Sequence, residues 1–392
     1  MLVRFGPQVQ EVLRGAAMRT ARLQVTLRYV EPPVVRLVDV PAAATLPEVH
    51  NLLQAAFGWW DYHLHQFLAA DGVTYGMVIP GEEPWPEDMR DETRGSLRDL
   101  GSRFTYSYDF GDGWEHDAVV LGPGGNEPGC ADGQGICPPE DCGGPGGYTE
   151  MLATLADPID DEHDEMSEWV GGRLRPFDRD HVDGYVNAMA GAVPATVRLL
   201  LELVGDGVRL TPTGRLPRTL VHAVQQHHPG WHLTGRPAAT EDDLWPLAVL
   251  HHLLRRVGLL RRRGGVLAPT KAAADDLQVV RRLRADFDPH DFTTSLVEIT
   301  AAVLAIRGPR HSQRLGELVM PELGHGWSID GRPLTERDVQ RNIHQLAPTM
   351  QALDLIDATG PTWPAGPSAR TLLPGATLRA DVWTRERQSN GR

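Results

Sequence analysis

The sequence predicts an α+β first half, built from antiparallel hairpins and helices, followed by a mainly α-helical second half. In residues 20–121 apolar and polar residues alternate in short runs separated by Pro and Gly turns, a pattern typical of strands. From about residue 195 leucine-rich runs at helical spacing dominate. The charge changes at the same point: residues 1–195 carry 13 Lys and Arg against 32 Asp and Glu, and residues 196–392 carry 25 against 20. The first half should therefore repel nucleic acid, whereas the second is mildly basic.

A chain of 392 residues exceeds one ordinary hydrophobic core, so we expect several domains. The predicted divisions are a loose N-terminal extension (1–20), an α+β domain (21–192) and two helical units (195–290 and 291–392). The longest apolar stretch, 188–204, is interrupted by Pro194 and Arg198, so no membrane contact is expected. Because the N-terminus has no apolar block like that of an export signal, we expect a cytoplasmic protein with reduced cysteines.

The first elements are marked by turn and cap residues. Two strands should flank the turn at residues 31–33, and "TLPEVHNLLQAAFG" predicts a helix that Thr45 caps, Glu48 supports and Gly58 ends. The segment "HLHQFLAADGVTYGM" predicts a hairpin that turns at residues 71–72.

A second hairpin is predicted by "FTYSYDFGDGWEHDAVV", with its turn at residues 111–113. Alternation places one row of side chains on a single face of each strand. The rows are Phe104, Tyr106, Tyr108 and Phe110 on the first strand, and Trp114, His116, Ala118 and Val120 on the second. The glycine-rich stretch 122–147 is predicted to be a long loop, and helices are expected over 148–158 and 177–191.

The second half contains a weak internal repeat. Residues 199–216 and 252–273 share a leucine-rich helix, Val-Gly, a short apolar and basic segment, and a Thr-Pro-Thr or Pro-Thr step, and residues 350–373 form a fainter copy. This succession resembles winged-helix units, in which a β-hairpin (the wing) follows a helix. The resemblance covers only this short pattern.

Several first-half motifs occur together in a recognisable order. They are "LRYVEPPVVRLVDVP", "LPEVHNLLQAAFGWWDYHLHQF", "YSYDFGDGWEHDAVV", "CPPEDCGGPGGY" and "FDRDHVDGYVNAM". Together they resemble the plasmid pRiA4b ORF-3-like family over roughly residues 20–190. One departure is Val35, which stands where the family usually has Trp. The resemblance implies an α+β domain and no established biochemical activity.

Candidate binding residues lie on the two hairpins and in the loop that follows them. They are His63, His65, Asp109, Asp112, Trp114, His116, Glu140 and Asp141. Carboxylates and imidazoles grouped in this way can bind a metal or transfer protons. Asp-Gly pairs are also what tight turns require, and aromatic strand faces are usually core, so a structural role remains open.

All three cysteines lie in "CADGQGICPPEDCGG". Cys130, Cys137 and Cys142 offer three ligands for zinc, with His65, His116 or Asp141 as a fourth, although their spacing differs from the usual knuckle. A structural loop with free thiols is the other main interpretation, and it ranks ahead of the metal site. A redox pair is the third, and no C-x-x-C motif supports it.

A basic group in the second half suggests contact with nucleic acid. Arg261, Arg262 and Arg263 lie where a wing would turn, and Arg255 and Arg256 end the preceding helix. Arginines at these positions can bind phosphate oxygens, but a solvated basic turn would look the same.

The leading hypothesis is a non-enzymatic binding or regulatory protein that contacts duplex DNA through residues 195–392. One alternative is a metal-dependent enzyme that uses His63, His65, His116 and the carboxylates, and another is a scaffold for a partner protein. The sequence contains no Walker-type loop, dinucleotide fingerprint, G-x-S-x-G or H-E-x-x-H motif.

Overall fold

The computed structural model describes residues 20–78, 86, 88–232, 236–288, 290–323, 327–329 and 331–390. The chain divides into two compact units. The first contains the described residues up to Ala190 together with residues 384–390, and the second covers Gly191–Trp383. The predicted N-terminal extension lies almost wholly outside the described residues.

The first unit is built on one mixed sheet, which has eight strands in the described part of the chain. The strands are β1 (Thr20–Leu27), β2 (Val35–Pro41), β3 (His65–Leu68), β4 (Thr74–Gly76), β5 (Arg90–Asp91), β6 (Arg103–Tyr108), β7 (Trp114–Pro123) and β8 (Gly129–Gln134). They lie in the order β5-β4-β3-β6-β7-β1-β2-β8. Neighbours are antiparallel except β4 and β5, which are parallel.

Alternating burial confirms the predicted hairpins. On β1, Leu23 and Val25 are fully buried, while the residues between them are half-buried. On the hairpin β6–β7, Tyr106 faces His116 in register, and both side chains are fully buried. The aromatic residues therefore form the inner face of the sheet.

Four helices accompany the sheet in the described part of this unit. They are α1 (Leu46–Phe57), α2 (Gly144–Ala156), α3 (His163–Val170) and α4 (Arg179–Ala190). Helix α1 begins with the predicted capping box, in which the Thr45 N–H donates to Glu48 Oε2 at 2.8 Å. It ends at Gly58, whose φ of 76° is readily adopted only by glycine. Helix α1 packs against β2 and α4, and α4 packs against β8.

Two local predictions were wrong. Phe110 follows the end of β6, lies in the turn and is 55% exposed, because the strand ends at Tyr108 before the alternation reaches it. The stretch 122–147 is not one long loop. It contains the edge strand β8, which pairs with β2, and the first residues of α2. Glycine disfavours strands, but here it allows close approach: a Cβ at Gly133 would lie 2.8 Å from the Val35 carbonyl oxygen.

The second unit is mainly helical. Its helices are α5 (Ala195–Val204), α6 (Arg218–His227), α7 (Trp245–Arg256), α8 (Asp276–Arg284), α9 (Phe292–Arg307), α10 (Leu315–Val319), α11 (Glu336–Ala352) and α12 (Pro374–Asn390). Helix α12 continues beyond Trp383, the last residue of this unit. Its short strands are β9 (Val208–Arg209), β10 (Leu260–Arg263), β11 (Val266–Pro269), β12 (Arg310–His311), β13 (Ser328–Ile329), β14 (Arg332–Pro333) and β15 (Thr362–Trp363). A continuous apolar core runs from Val197 to Ala376.

Two similar successions of elements occupy this unit. In the first, α5, β9, α6 and α7 are followed by the hairpin β10–β11, and the three strands form a sheet in the order β10-β11-β9. In the second, α9, β12, α10, the hairpin β13–β14 and α11 lead to β15, which pairs with β12. Within the described residues, no single helix is long and apolar enough to cross a membrane.

Replacing Leu23 by Ala should destabilise the first unit strongly, because this fully buried side chain on β1 would leave a cavity in the core. We expect a loss of about 2–5 kcal/mol in the free energy of unfolding, measured by urea denaturation. Leu121→Ala is the matched control, since Leu121 lies on β7 and is 49% exposed. Equal losses in the two variants would contradict the assigned inner face.

Candidate functional site

A polar group lies beneath the aromatic face of the sheet, where α1 meets β3 and β6. The Gln54 side chain donates to the Tyr106 hydroxyl at 2.9 Å, and that hydroxyl lies 2.8 Å from His50 Nδ1. The other ring nitrogen, His50 Nε2, lies 2.7 Å from Asp61 Oδ1. The Asp61 N–H donates back to Gln54 Oε1 at 3.1 Å, which closes a ring of hydrogen bonds.

Burial sets the protonation of this group. It lowers the pKa of His50 and raises that of Tyr106 well above its ordinary value, so both side chains are neutral at neutral pH. Neutral His50 then accepts from Tyr106 at Nδ1 and donates to Asp61 from Nε2. His65 stacks on His50, with ring centroids 3.5 Å apart, and its Nε2 lies 2.8 Å from Glu92 Oε2.

The loop after β8 folds back onto the same aromatic face through Glu140. The Tyr108 hydroxyl donates to Glu140 Oε1, and the Trp60 N–H donates to Glu140 Oε2 at 2.7 Å. Trp59 fixes the loop from the other side, because its indole N–H donates to the Pro138 carbonyl at 2.9 Å. Burial raises the pKa of Glu140. This residue therefore acts as an anchor for the loop.

His116 lies apart from these polar groups. Its Nδ1 is 3.1 Å from the Tyr106 carbonyl oxygen, and the rings of Phe57 and Trp59 pack edge-on against it. Burial lowers its pKa to about 3. A neutral imidazole enclosed by aromatic rings is not placed to exchange protons with solvent. Trp114, which is fully buried, contributes to the same aromatic packing through Trp59.

The three cysteines do not assemble with His65. Cys130 is buried on β8, and its thiol donates to the Asp132 carbonyl at 3.3 Å. Burial raises the pKa of Cys130 to about 11 and that of Cys142 to about 12, so the thiolate form is disfavoured. Within the described part of the chain, the groups of three or more ligand atoms within 4.8 Å of one another contain no cysteine.

Two such groups are present in the described residues. The first is His50, Asp61 and His65. Its two imidazoles are stacked nearly parallel, with 7° between their planes, so their in-plane lone pairs cannot converge on one ion. The second group is His63, Asp109 and Asp141, at the surface end of the same region. Asp112 does not belong to either group, and its backbone carbonyl approaches Gly144 at the start of α2.

A cleft of about 1230 Å³ opens beside the loop. Aromatic and cationic side chains line much of it, including Trp59, Trp60, Trp169, Arg36, Arg173 and Phe177. Arg36 is 3% exposed, and its guanidinium lies between the rings of Phe57 and Phe177. Its N–H groups donate to backbone carbonyls rather than to a carboxylate. Glu140 and Asp141 also reach the cleft.

The predicted basic residues lie in the second unit. Arg261, Arg262 and Arg263 are exposed along β10. Arg255 is exposed at the end of α7, while Arg256 is held by Asp286, whose Oδ1 accepts from Nε at 2.8 Å.

Seven residues of the polar interior and the cleft were not predicted as site residues, namely His50, Gln54, Asp61, Glu92, Tyr106, Tyr108 and Arg36. One signal was available, because His50 and Gln54 lie four residues apart on the apolar side of a predicted helix. Asp61 and Glu92 occur in segments with no periodic pattern, so only the fold brings them to the site.

The first unit is thus an α+β domain with a hydrogen-bonded polar interior beside an open cleft. Residues 19–185 match the family model described as plasmid pRiA4b ORF-3-like protein. The uncharacterised protein y4hQ of Sinorhizobium fredii is 44% identical over an alignment of 159 residues, and the match covers 38% of this chain and 80% of that protein. The chain belongs to the plasmid pRiA4b ORF-3-like family.

Two further similarities were found. Residues 190–281 match a family model described as the Y4jL N-terminal domain. The crystal structure of MM3350, a protein of unknown function from Methanosarcina mazei Go1, is 28% identical in sequence and has a TM-score of 0.37. The match covers 41% of this chain and 96% of that one.

His116 should make stability depend on pH. Its pKa of about 3 in the folded state is below the value of about 6.5 expected when unfolded, so the unfolded state binds the proton first as pH falls. The contribution of neutral His116 to the free energy of unfolding is complete above pH ~6.5. Below that pH it falls by about 1.4 kcal/mol per pH unit. Urea denaturation of His116→Gln should therefore show a weaker dependence between pH ~6 and ~4 than wild type. The exposed His252→Gln serves as control, and a pH-independent difference between wild type and His116→Gln would contradict the prediction.

Cys130 should resist alkylation in the folded protein, because its thiol is buried and its pKa is raised to about 11. Treatment with iodoacetamide at neutral pH, followed by mass spectrometry, should modify Cys137 before Cys130. Cys137 is the internal control, since it is partly exposed and lines the cleft. All three should react after denaturation, and rapid native modification of Cys130 would contradict its placement.

Proposed function

We propose that the protein is a non-enzymatic binding protein with a regulatory role, and that it contacts duplex DNA through the hairpin β10–β11. The order helix, strand, helix, helix, hairpin, with all three strands in one sheet, supports a winged-helix interpretation of this part of the unit. The second succession, from α9 to β15, begins with the same helix, strand and helix, but the hairpin β13–β14 precedes α11, and the single strand β15 pairs with β12. These topologies support the interpretation of the second half as two winged-helix units.

The observation that carries the proposal is a cationic face on the three-stranded sheet. Arg263 pairs with Val266 on β11, and Val266 pairs in turn with Arg209 on β9, so these side chains lie in one row across the sheet. Arg261 is two residues from Arg263 and shares its face. All three arginines are exposed, and no carboxylate in the described part of the chain forms an ion pair with them.

Guanidinium groups that are exposed and unneutralised are suited to bind phosphate oxygens. Such contacts supply affinity and position but little sequence information. We therefore propose a DNA contact dominated by backbone phosphates.

Helix α7, the third helix of the first succession, is less accessible to DNA than the hairpin. Helix α7 packs against α11, and its Arg256 is engaged with Asp286. In many helix-turn-helix proteins the last helix enters the major groove. Here the contacts of α7 within the unit favour the hairpin as the part that meets DNA.

The metal-dependent enzyme predicted as an alternative required three histidines to share one site. His63, His65 and His116 instead have separate surroundings. His63 lies beside one buried and one exposed carboxylate, His65 contacts Glu92 in the interior, and His116 is enclosed by aromatic rings. That arrangement favours a binding role over the predicted three-histidine catalytic centre.

The test measures binding of the full chain to a labelled duplex by fluorescence anisotropy at several salt concentrations. Wild type should bind, with affinity falling steeply as salt rises. Arg261→Ala/Arg263→Ala should weaken binding at every sequence tested and reduce the slope of log affinity against log salt by about two.

Arg94→Ala/Arg98→Ala is the matched control, because it removes the same charge from exposed positions in the first unit. Control and wild type should bind alike. Absence of salt-dependent binding by wild type, or an equal effect of the two double variants, would overturn the proposal.

A further inference from the structure

The His63 group gathers three side chains from segments far apart in the sequence. His63 lies two residues before β3, Asp109 follows β6, and Asp141 lies in the loop after β8. His63 Nε2 is 3.5 Å from Asp109 Oδ2 and 3.2 Å from Asp141 Oδ1. Their ligand atoms all lie within 4.8 Å of one another.

The two distances from His63 Nε2 to the carboxylates are longer than those of a well-formed hydrogen-bonded triad. His63 Nε2 is shielded from solvent, yet it forms no hydrogen bond with either carboxylate. Two ligand atoms held at about 2.0–2.2 Å from a tetrahedral Zn²⁺ lie roughly 3.3–3.6 Å apart. The two measured distances are at or just below this spacing.

The charge of this group is only partly balanced. Two carboxylates meet one imidazole. Arg173 interacts electrostatically with Asp141, but no Lys or Arg in the described part of the chain lies within ion-pair distance of Asp109 or Asp141. Asp109 has only 8% of its side chain exposed, so solvent screens its charge weakly. A divalent cation between the three groups would balance this charge.

Contacts with neighbouring residues position His63, Asp109 and the loop that carries Asp141. These contacts leave the three proposed ligand atoms free to face one another. Asp109 accepts from the Gly111 N–H at 3.1 Å through Oδ1, which leaves Oδ2 directed at His63. The His63 ring packs edge-on against Tyr108. Asp141 follows the anchored Glu140, so the loop that carries it is fixed by Tyr108 and Trp60.

We propose that His63 Nε2, Asp109 Oδ2 and Asp141 Oδ1 bind a divalent transition metal ion, with Zn²⁺ as the fitting probe. One nitrogen and two oxygen ligands suit zinc. Three protein ligands leave a fourth tetrahedral position open. Asp141 is 67% exposed and lines the cleft, so that position is available to water or to an anionic ligand.

Isothermal titration of the full, chelator-treated chain with Zn²⁺ tests this site. Wild type should bind one Zn²⁺ ion. Asp141→Asn and His63→Ala should each weaken Zn²⁺ affinity by more than about 100-fold. Such a loss exceeds the one expected when a residue that only hydrogen-bonds to a metal ligand is replaced. Co²⁺ in place of Zn²⁺ should give a visible absorption band that the same variants abolish. Asp141→Asn is the decisive variant, because its exposed side chain leaves the fold intact.

His252→Ala and Asp164→Asn remove an exposed histidine and an exposed carboxylate elsewhere. Both controls should bind the ion like wild type. Zinc binding that is absent from wild type, or that Asp141→Asn and His63→Ala retain in full, would overturn the proposal, and retained binding would place the ion at other histidines. Neither result bears on DNA binding by the second unit, so the two proposals fail separately.

Discussion

The hydrogen bonds of the Tyr106 hydroxyl fix helix α1 against the sheet of the first unit. This hydroxyl is fully buried, and an unpaired polar atom there would cost about 1–3 kcal/mol. Helix α1 supplies both of its partners, Gln54 as donor and His50 as acceptor. Because these residues lie four apart on one helix, satisfying the hydroxyl fixes both the rotation and the height of α1 against the sheet. Through His50, the same constraint places Asp61 and the chain that leads into β3.

Tyr108, the second tyrosine of the row on β6, fixes the loop after β8 as Tyr106 fixes helix α1. Tyr108 lies two residues along β6 on the same face, and its hydroxyl donates to Glu140 rather than to the helix. The cysteine-bearing loop is therefore held by a carboxylate, and its thiols are not needed as an anchor. One strand thus positions both the helix and the loop that border the cleft.

Periodicity in the sequence was enough to predict β1, β2, the two hairpins and α1 with its cap. Those elements depend on local turn chemistry and on one buried face. Strand β8 could not be predicted in this way, because Gly129 and Gly133 give no strand signal and their place is set by the neighbouring β2. The pairings of Asp61 with His50 and of Glu92 with His65 could not be predicted for a related reason. In each pair the histidine lies on a helix or strand, whereas the carboxylate lies in a segment without periodic sequence. The grouping of His65 and His116 failed because alternation specifies a face of the sheet, whereas partners on that face decide what each ring can do.

Strand β8 also has a consequence for how molecules of this protein meet one another. An edge strand offers unpaired N–H and C=O groups to any second strand that arrives. Here the Cys130 N–H donates to Asp183 of α4 at 2.8 Å, and Asn187 of the same helix donates to the Pro128 carbonyl at 3.0 Å. Helix α4 thus engages one N–H group of β8 and the carbonyl just before the strand, and it packs against the strand. We expect loss of α4 to leave this edge open to pairing with a strand of a second molecule.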